Sequence, residues 1–140
     1  MHLLSTRPGG FVDDNAGVVR IAQSPAQIVV LSAADTTLSL LAGVFPRLGE
    51  GFPTVRLANQ MYLRQPASLD MYVDDVLQHA RVVVVDHLGG DSDWPYGLER
   101  LTELARSRNQ LLVMFSGDLA EDANLLGRGN APQALASNLW

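Results

Sequence analysis

Apolar and polar positions fall into a repeating pattern along this chain. Residues 28–31, Ile-Val-Val-Leu, are four consecutive apolar positions, three of them β-branched, which suits a strand buried on both faces. Strand-like runs begin again at Thr54, Val82 and Gln110, each about one βα unit after the last, and each interval carries apolar residues at helical spacing. The alternation predicts a parallel sheet with helices on its faces.

The first helix is predicted over residues 33–45, with Leu38, Leu41, Ala42 and Phe45 on one face and Pro46 ending it. Ser32 stands three before Asp35, the spacing of a serine cap answered by an acidic side chain. The run from Thr54 to Ala58 alternates more, which places it nearer a sheet edge, and it finishes at Asn59. Ser68 reads as the N-cap of a second helix whose apolar stripe is Leu69, Tyr72, Val73, Val76, Leu77 and Ala80. Asp70, Asp74 and Asp75 lie off that stripe and read as a solvated face, with Asp70 complementing the dipole from the first turn.

Residues 82–85 are the most β-prone run and are predicted as the central strand, ending in the turn Asp86-His87-Leu88-Gly89-Gly90-Asp91. A third helix starts near Asp93 with Pro95 in its first turn; Trp94, Leu98, Leu101 and Ala105 face inward, and Arg106 and Arg108 favour its C-terminal dipole. Residues 111–115 form the last strand, closing at Ser116-Gly117-Asp118. Ahead of the repeat, residues 1–6 suggest an edge or first strand, and residues 11–21 a hairpin around a five-residue loop, 13–17. Residues 119–132 read as a loop or mobile arm, and residues 133–140 as the start of a helix that continues past Trp140. The expectation is therefore an α/β domain over residues 1–118, followed by that loop and helix start over 119–140. It is a Rossmann-like or flavodoxin-like open parallel sheet of about four to five strands, with flanking helices and an N-terminal β-hairpin.

With 140 residues and 47% apolar content, one packed domain accounts for the chain. Acidic residues outnumber basic ones, 15 to 10, which argues against a nucleic-acid or anionic-membrane partner. No apolar run approaches the ~20 residues of a membrane span. Residues 1–5 do not form the charged start of a secretory leader, so the expected compartment is the cytoplasm. Cysteine is absent, which removes disulfides, thiolate nucleophiles, iron–sulfur ligation and cysteine-based zinc sites. Every basic residue is an arginine, leaving no lysine for a Walker loop or a Schiff base. Any ATP that the protein uses must be held by another chain.

In a parallel sheet the strand-end turns share one edge, where ligands bind and helix N-termini attract carboxylates or phosphates. Capping accounts for Ser32 and Asp35 without catalysis. Gly89 and Gly90 answer a backbone requirement, since the GxGxxG pattern is missing. His87 with Asp86 and Asp91 lacks the convergence of a metal site, His79 reads as a dipole partner, and neither a GxSxG elbow nor HExxH occurs. No catalytic or metal-ligating residue is assigned.

The stretches Ile-Val-Val-Leu-Ser-Ala-Ala-Asp-Thr-Thr-Leu (28–38), Arg-Leu-Ala-Asn (56–59), Ser-Leu-Asp-Met-Tyr (68–72) and Leu-Gly-Gly (88–90), in this order, resemble the N-terminal region of the CobN family. These are the large subunits of aerobic cobaltochelatases, to which the magnesium chelatase large subunits are related in architecture. Met-His-Leu-Leu at 1–4 and Gln-Ser-Pro-Ala at 23–26 fit too. The resemblance implies the first domain of a much longer subunit that binds hydrogenobyrinic acid a,c-diamide and takes Co2+ as a substrate in cobalamin biosynthesis. It further implies an AAA+ partner that binds ATP and Mg2+, a partner with an integrin-type metal-binding domain, and no cofactor in this stretch. The insertion site is implied to lie in later domains. Ser32, Asp35, Thr36, Asn59, Leu88, Gly89, Gly90 and Asp118 are expected to form one wall of the corrin cavity or a contact with the following domain. The competing expectations are a docking role without ligand contact and a magnesium chelatase domain.

Overall fold

The computed structural model describes residues 11–12, 17–116, 125 and 127–130. Two short antiparallel strands, β1 (Phe11–Val12) and β2 (Val19–Arg20), make a separate ribbon. Four parallel strands then form the sheet: β3 (Ile28–Ser32), β4 (Val55–Asn59), β5 (Val82–His87) and β6 (Leu111–Ser116), in the order β4-β3-β5-β6. Between them run α1 (Asp35–Val44), α2 (Pro66–Asp75) and α3 (Pro95–Arg108), with 3-10 turns at Phe45–Leu48, Gln60–Leu63, Leu77–His79 and Asp91–Asp93.

The strand order is that of a flavodoxin-like sheet with four strands, within the expected α/β class. The chain leaves β3 toward β4 on one side and returns past it to β5 on the other, so β3 and β5 flank the point where the winding direction reverses. Val29, Leu31, Val83, Val85, Leu112 and Met114 face α2 and α3; the predicted stripes are buried, but α2 ends at Asp75, and Val76, Leu77 and Ala80 lie in and around the 3-10 turn that follows it. Val30, Val55 and Leu57 face α1, packing on Leu38 with Leu41, Ala42 and Phe45 beside it.

Several local expectations change. Helix α2 starts at Pro66, because proline fixes the backbone for the first helical turn and holds Gln65 extended before it. Ser68 is thus inside the helix and buried, where its Oγ accepts from the Val19 backbone N–H at 2.8 Å and fastens the ribbon. Asp70 then lies beyond the first turn; it accepts from Tyr96 Oη at 2.7 Å and pairs with Arg100 at 3.3 Å, while Asp75 pairs with Arg20 at 3.0 Å. Only Asp74 keeps the simple solvated role. Strand β5 runs on through Asp86 and His87, which the sequence pattern had put in the turn.

Both sheet edges are covered. Gln23 donates to the Leu57 carbonyl at 2.8 Å, and Arg56 donates to the Ser24 carbonyl at 2.9 Å, shielding β4. On β6, Asn130 mimics a strand: its Oδ1 accepts from Leu112 N–H at 2.7 Å, its N–H donates to the Leu112 carbonyl at 3.0 Å, and its Nδ2 donates to the Gln110 carbonyl. Leu125 is wholly buried in the main cluster, so residues expected in a mobile arm contribute to this fold. Such covering removes the open strand edges that invite further pairing. The expectations for residues 1–10, 13–16, 117–124, 126 and 131–140 fall outside the described residues.

Candidate functional site at the strand ends

The register aligns Asn59, Ser32, Asp86 and Phe115 across the C-terminal edge, and one step further His87 with Ser116. Because successive side chains alternate faces, Ser32, Asn59 and Asp86 lie on the α1 side, and His87 lies on the α2/α3 side. Two hydrogen-bonded groups result, one for each face.

On the α1 side, Ser32 is wholly buried as the last residue of β3, and its Oγ donates to Asp86 Oδ2 at 3.0 Å across the reversal point. The same oxygen accepts from Ala34 N–H at 3.1 Å. The predicted cap is therefore not made: the N-cap of α1 is Ala34, which has no side-chain cap, and the helix begins at Asp35. Asp35 Oδ1 instead accepts from Asn59 Nδ2 at 2.8 Å, while Asn59 Oδ1 accepts from Met61 N–H at 2.8 Å. Sequence spacing suggested a local cap, but the register offered Ser32 a carboxylate on the neighbouring strand.

On the other side, buried His87 sits between two partners. Its Nε2 is 2.9 Å from the Gly90 carbonyl, which can only accept, so Nε2 carries the proton and Nδ1 accepts from Gln60 Nε2 at 2.8 Å. The Trp94 ring lies against it at a centroid distance of 6.2 Å, and Gly97 leaves room for that ring, since a Cβ there would overlap the indole. Gly90 N–H donates to Asp93 Oδ2 at 2.8 Å, and Asp93 N–H donates to the Gly90 carbonyl, locking the turn. Gly89 adopts φ +105°, and a Cβ at this position would meet the Asp93 carboxylate, so the turn requires glycine. His87 is a hydrogen-bonded core residue, and no cluster of three metal-ligating side chains occurs among the described residues.

Of the expected site residues, Ser32, Asn59 and Gly90 are buried and hydrogen-bonded within the protein, so they shape the edge. Asp35 and Thr36 are exposed in the first turn of α1, Leu88 is 73% exposed, and Gly89 is half-buried; these face outward. Asp118 lies outside the described residues. The sequence reading missed Asp86 and Gln60 as members of the two groups. Only the register and the fold of residues 60–63 bring them to their partners. A groove of about 610 Å3 opens at the opposite, N-terminal end of the sheet, lined by Gln27, Arg81 and Arg108 among others. No helix among the described residues is long and apolar enough to cross a membrane.

No family model matches the chain. The chain is 45% identical, over its whole length, to the aerobic cobaltochelatase subunit CobN of Pseudomonas aeruginosa, of which it covers 11%. It is 38% identical over 125 residues to the CobN subunit of a Sinorhizobium species, of which it covers 10%. Among solved structures it is similar to the catalytic subunit of cobaltochelatase from Mycobacterium tuberculosis, with a TM-score of 0.55 and 26% identity over 79% of this chain and 8% of that one. The likeness is to the N-terminal region of CobN, and the chain spans about a tenth of the length of the curated relatives it matches.

Proposed function

We propose that this chain works as the first domain of a cobaltochelatase large subunit, in the complex that inserts Co2+ into hydrogenobyrinic acid a,c-diamide. The observation that carries the reading is the 45% identity to a CobN subunit over the whole length of this chain. In this reading ATP is bound with Mg2+ by an AAA+ partner, a further partner carries an integrin-type domain, and the complex is cytoplasmic. The absence of lysine and of a phosphate loop here is in keeping with ATP being held elsewhere.

Within that role, the outward-facing part of the strand-end edge lines the corrin cavity. Leu88 offers an apolar contact to the macrocycle, and the Thr36 hydroxyl and Asp35 carboxylate offer hydrogen bonds to peripheral amides. Ser32, Asn59, Asp86, His87 and Gly90 hold these groups in place. A second reading, docking without ligand contact, is favoured by the burial of most strand-end polar groups against one another.

The test is corrin binding to the full-length subunit, with cobalt insertion measured in the assembled complex. Leu88→Asp is expected to weaken corrin binding about tenfold or more, since it puts a charge where an apolar contact is made. Unchanged affinity in a variant of unchanged stability would select the docking reading, and a full-length complex that inserts no cobalt would reject the function.

A further inference from the structure

The three helices differ in what they show to solvent. Helices α2 and α3 expose charged residues, among them Asp74, Glu99, Glu103 and Arg106. Helix α1 has no charged residue after Asp35, and its outer face carries Ser39, Leu40, Gly43 and Val44. Leu40 is 67% exposed, Val44 42% and Leu48, in the next turn, 47%. Spaced four residues apart, the three form one apolar line along the helix and its 3-10 extension. That line runs toward a small cleft of about 160 Å3 beside the Phe45–Phe52 ring pair, in which Phe52 is itself 39% exposed.

Among the described residues nothing requires a glycine at Gly43. Its φ is not in the left-handed region, a Cβ there would meet nothing within 4 Å, and a glycine inside a helix costs roughly 0.5–1 kcal/mol relative to alanine. A small residue on an outer face, between large apolar ones, instead lets a neighbouring element approach the helix closely. A contiguous apolar face of this kind marks an interface.

We infer that the outer face of α1, centred on Leu40, Gly43 and Val44, is the surface on which the remainder of the same large subunit packs. This rests on the reading of the chain as the first domain of such a subunit. The chain covers only 11% and 10% of its relatives, so in that reading about nine tenths of the subunit lies outside this domain and is available to pack on it. Among the described residues both sheet edges are covered and α2 and α3 present charge, so α1 is the helix whose outer face is apolar and open to it. A second copy seated on this face would bring two stretches of net charge −5 together.

The test uses the full-length subunit bearing Leu40→Cys, or Glu103→Cys as a control on the charged face of α3, with maleimide labelling quantified peptide by peptide by mass spectrometry. Leu40→Cys is expected to label about tenfold more slowly than the control, because packing must open before the thiol reacts. Adding Gly43→Trp, which obstructs close approach, is expected to restore the control rate. A maleimide–diazirine reagent on Leu40→Cys should cross-link to residues beyond 140 of the same polypeptide. Equal labelling rates, or cross-links to a second copy or to a partner subunit, would overturn the inference. The functional reading fails separately, if the natural protein does not continue as its relatives do.

Discussion

Replacing Ser32 by alanine separates two accounts of the strand-end turn. As a simple helix cap, Ser32 would be worth about 1 kcal/mol, and its loss would be independent of Asp86. In the structure its hydroxyl donates to Asp86 Oδ2 at 3.0 Å and accepts from Ala34 N–H at 3.1 Å, with the serine wholly buried. A hydrogen bond to a carboxylate is worth ~1.5–3 kcal/mol, and the Ala34 amide, half-buried, adds little because water can reach it. The expected loss is about 2 kcal/mol, or ~4–8 °C in melting temperature for a domain of this size. Urea unfolding of Ser32→Ala, Asp86→Ala and the double variant measures the pair directly. A coupling of ~1–2 kcal/mol is expected, and additivity within about 0.3 kcal/mol would refute the assignment. Since the hydroxyl does not reach the surface and acts only by positioning, the proposed function expects Ser32→Ala to lower corrin affinity of the full-length subunit less than Leu88→Asp does.

Two further outcomes are expected. Burial pushes the Tyr72 phenol above its ordinary range, with Arg56 opposing, and Tyr96 is raised as well, first by its hydrogen bond to Asp70. An unfolded tyrosine ionises near pH 10, so above that pH the unfolded chain holds fewer protons and stability falls as pH rises toward the folded value. Tyr72→Phe should cost ~0.5–1.5 kcal/mol at neutral pH, through the lost bond to Gln23, and should flatten the alkaline decline by up to about 1.4 kcal/mol per pH unit. Urea titrations of parent and variant that stay parallel above pH 10 would contradict this. Asn130→Ala removes two of the bonds that cover β6 and should cost ~1–3 kcal/mol, with concentration-dependent association through the opened edge; an unchanged urea midpoint would show that the edge is not held this way.

Much of the fold was legible because its signals are local. Four β-rich runs at regular intervals, and the stripe from Leu69 to Ala80, state the parallel sheet and the inner face of α2 and the 3-10 turn after it, since apolar periodicity follows directly from which side of an element meets the core, although the break after Asp75 was not legible. The ordered motifs at residues 28–38, 56–59, 68–72 and 88–90 carried the likeness to CobN for the same reason, being fixed in sequence. The fate of the polar residues was not legible. Ser32 and Ser68 each matched a capping pattern, yet one hydroxyl found Asp86, 54 residues away, and the other the Val19 amide, 49 residues away. Sequence alone determined the elements, the class of fold and the family resemblance. Strand order and register decided the site: they alone bring Asn59, Ser32 and Asp86 side by side on one face and turn His87 to the other, where a side chain's partner is whichever group the packed sheet delivers to it.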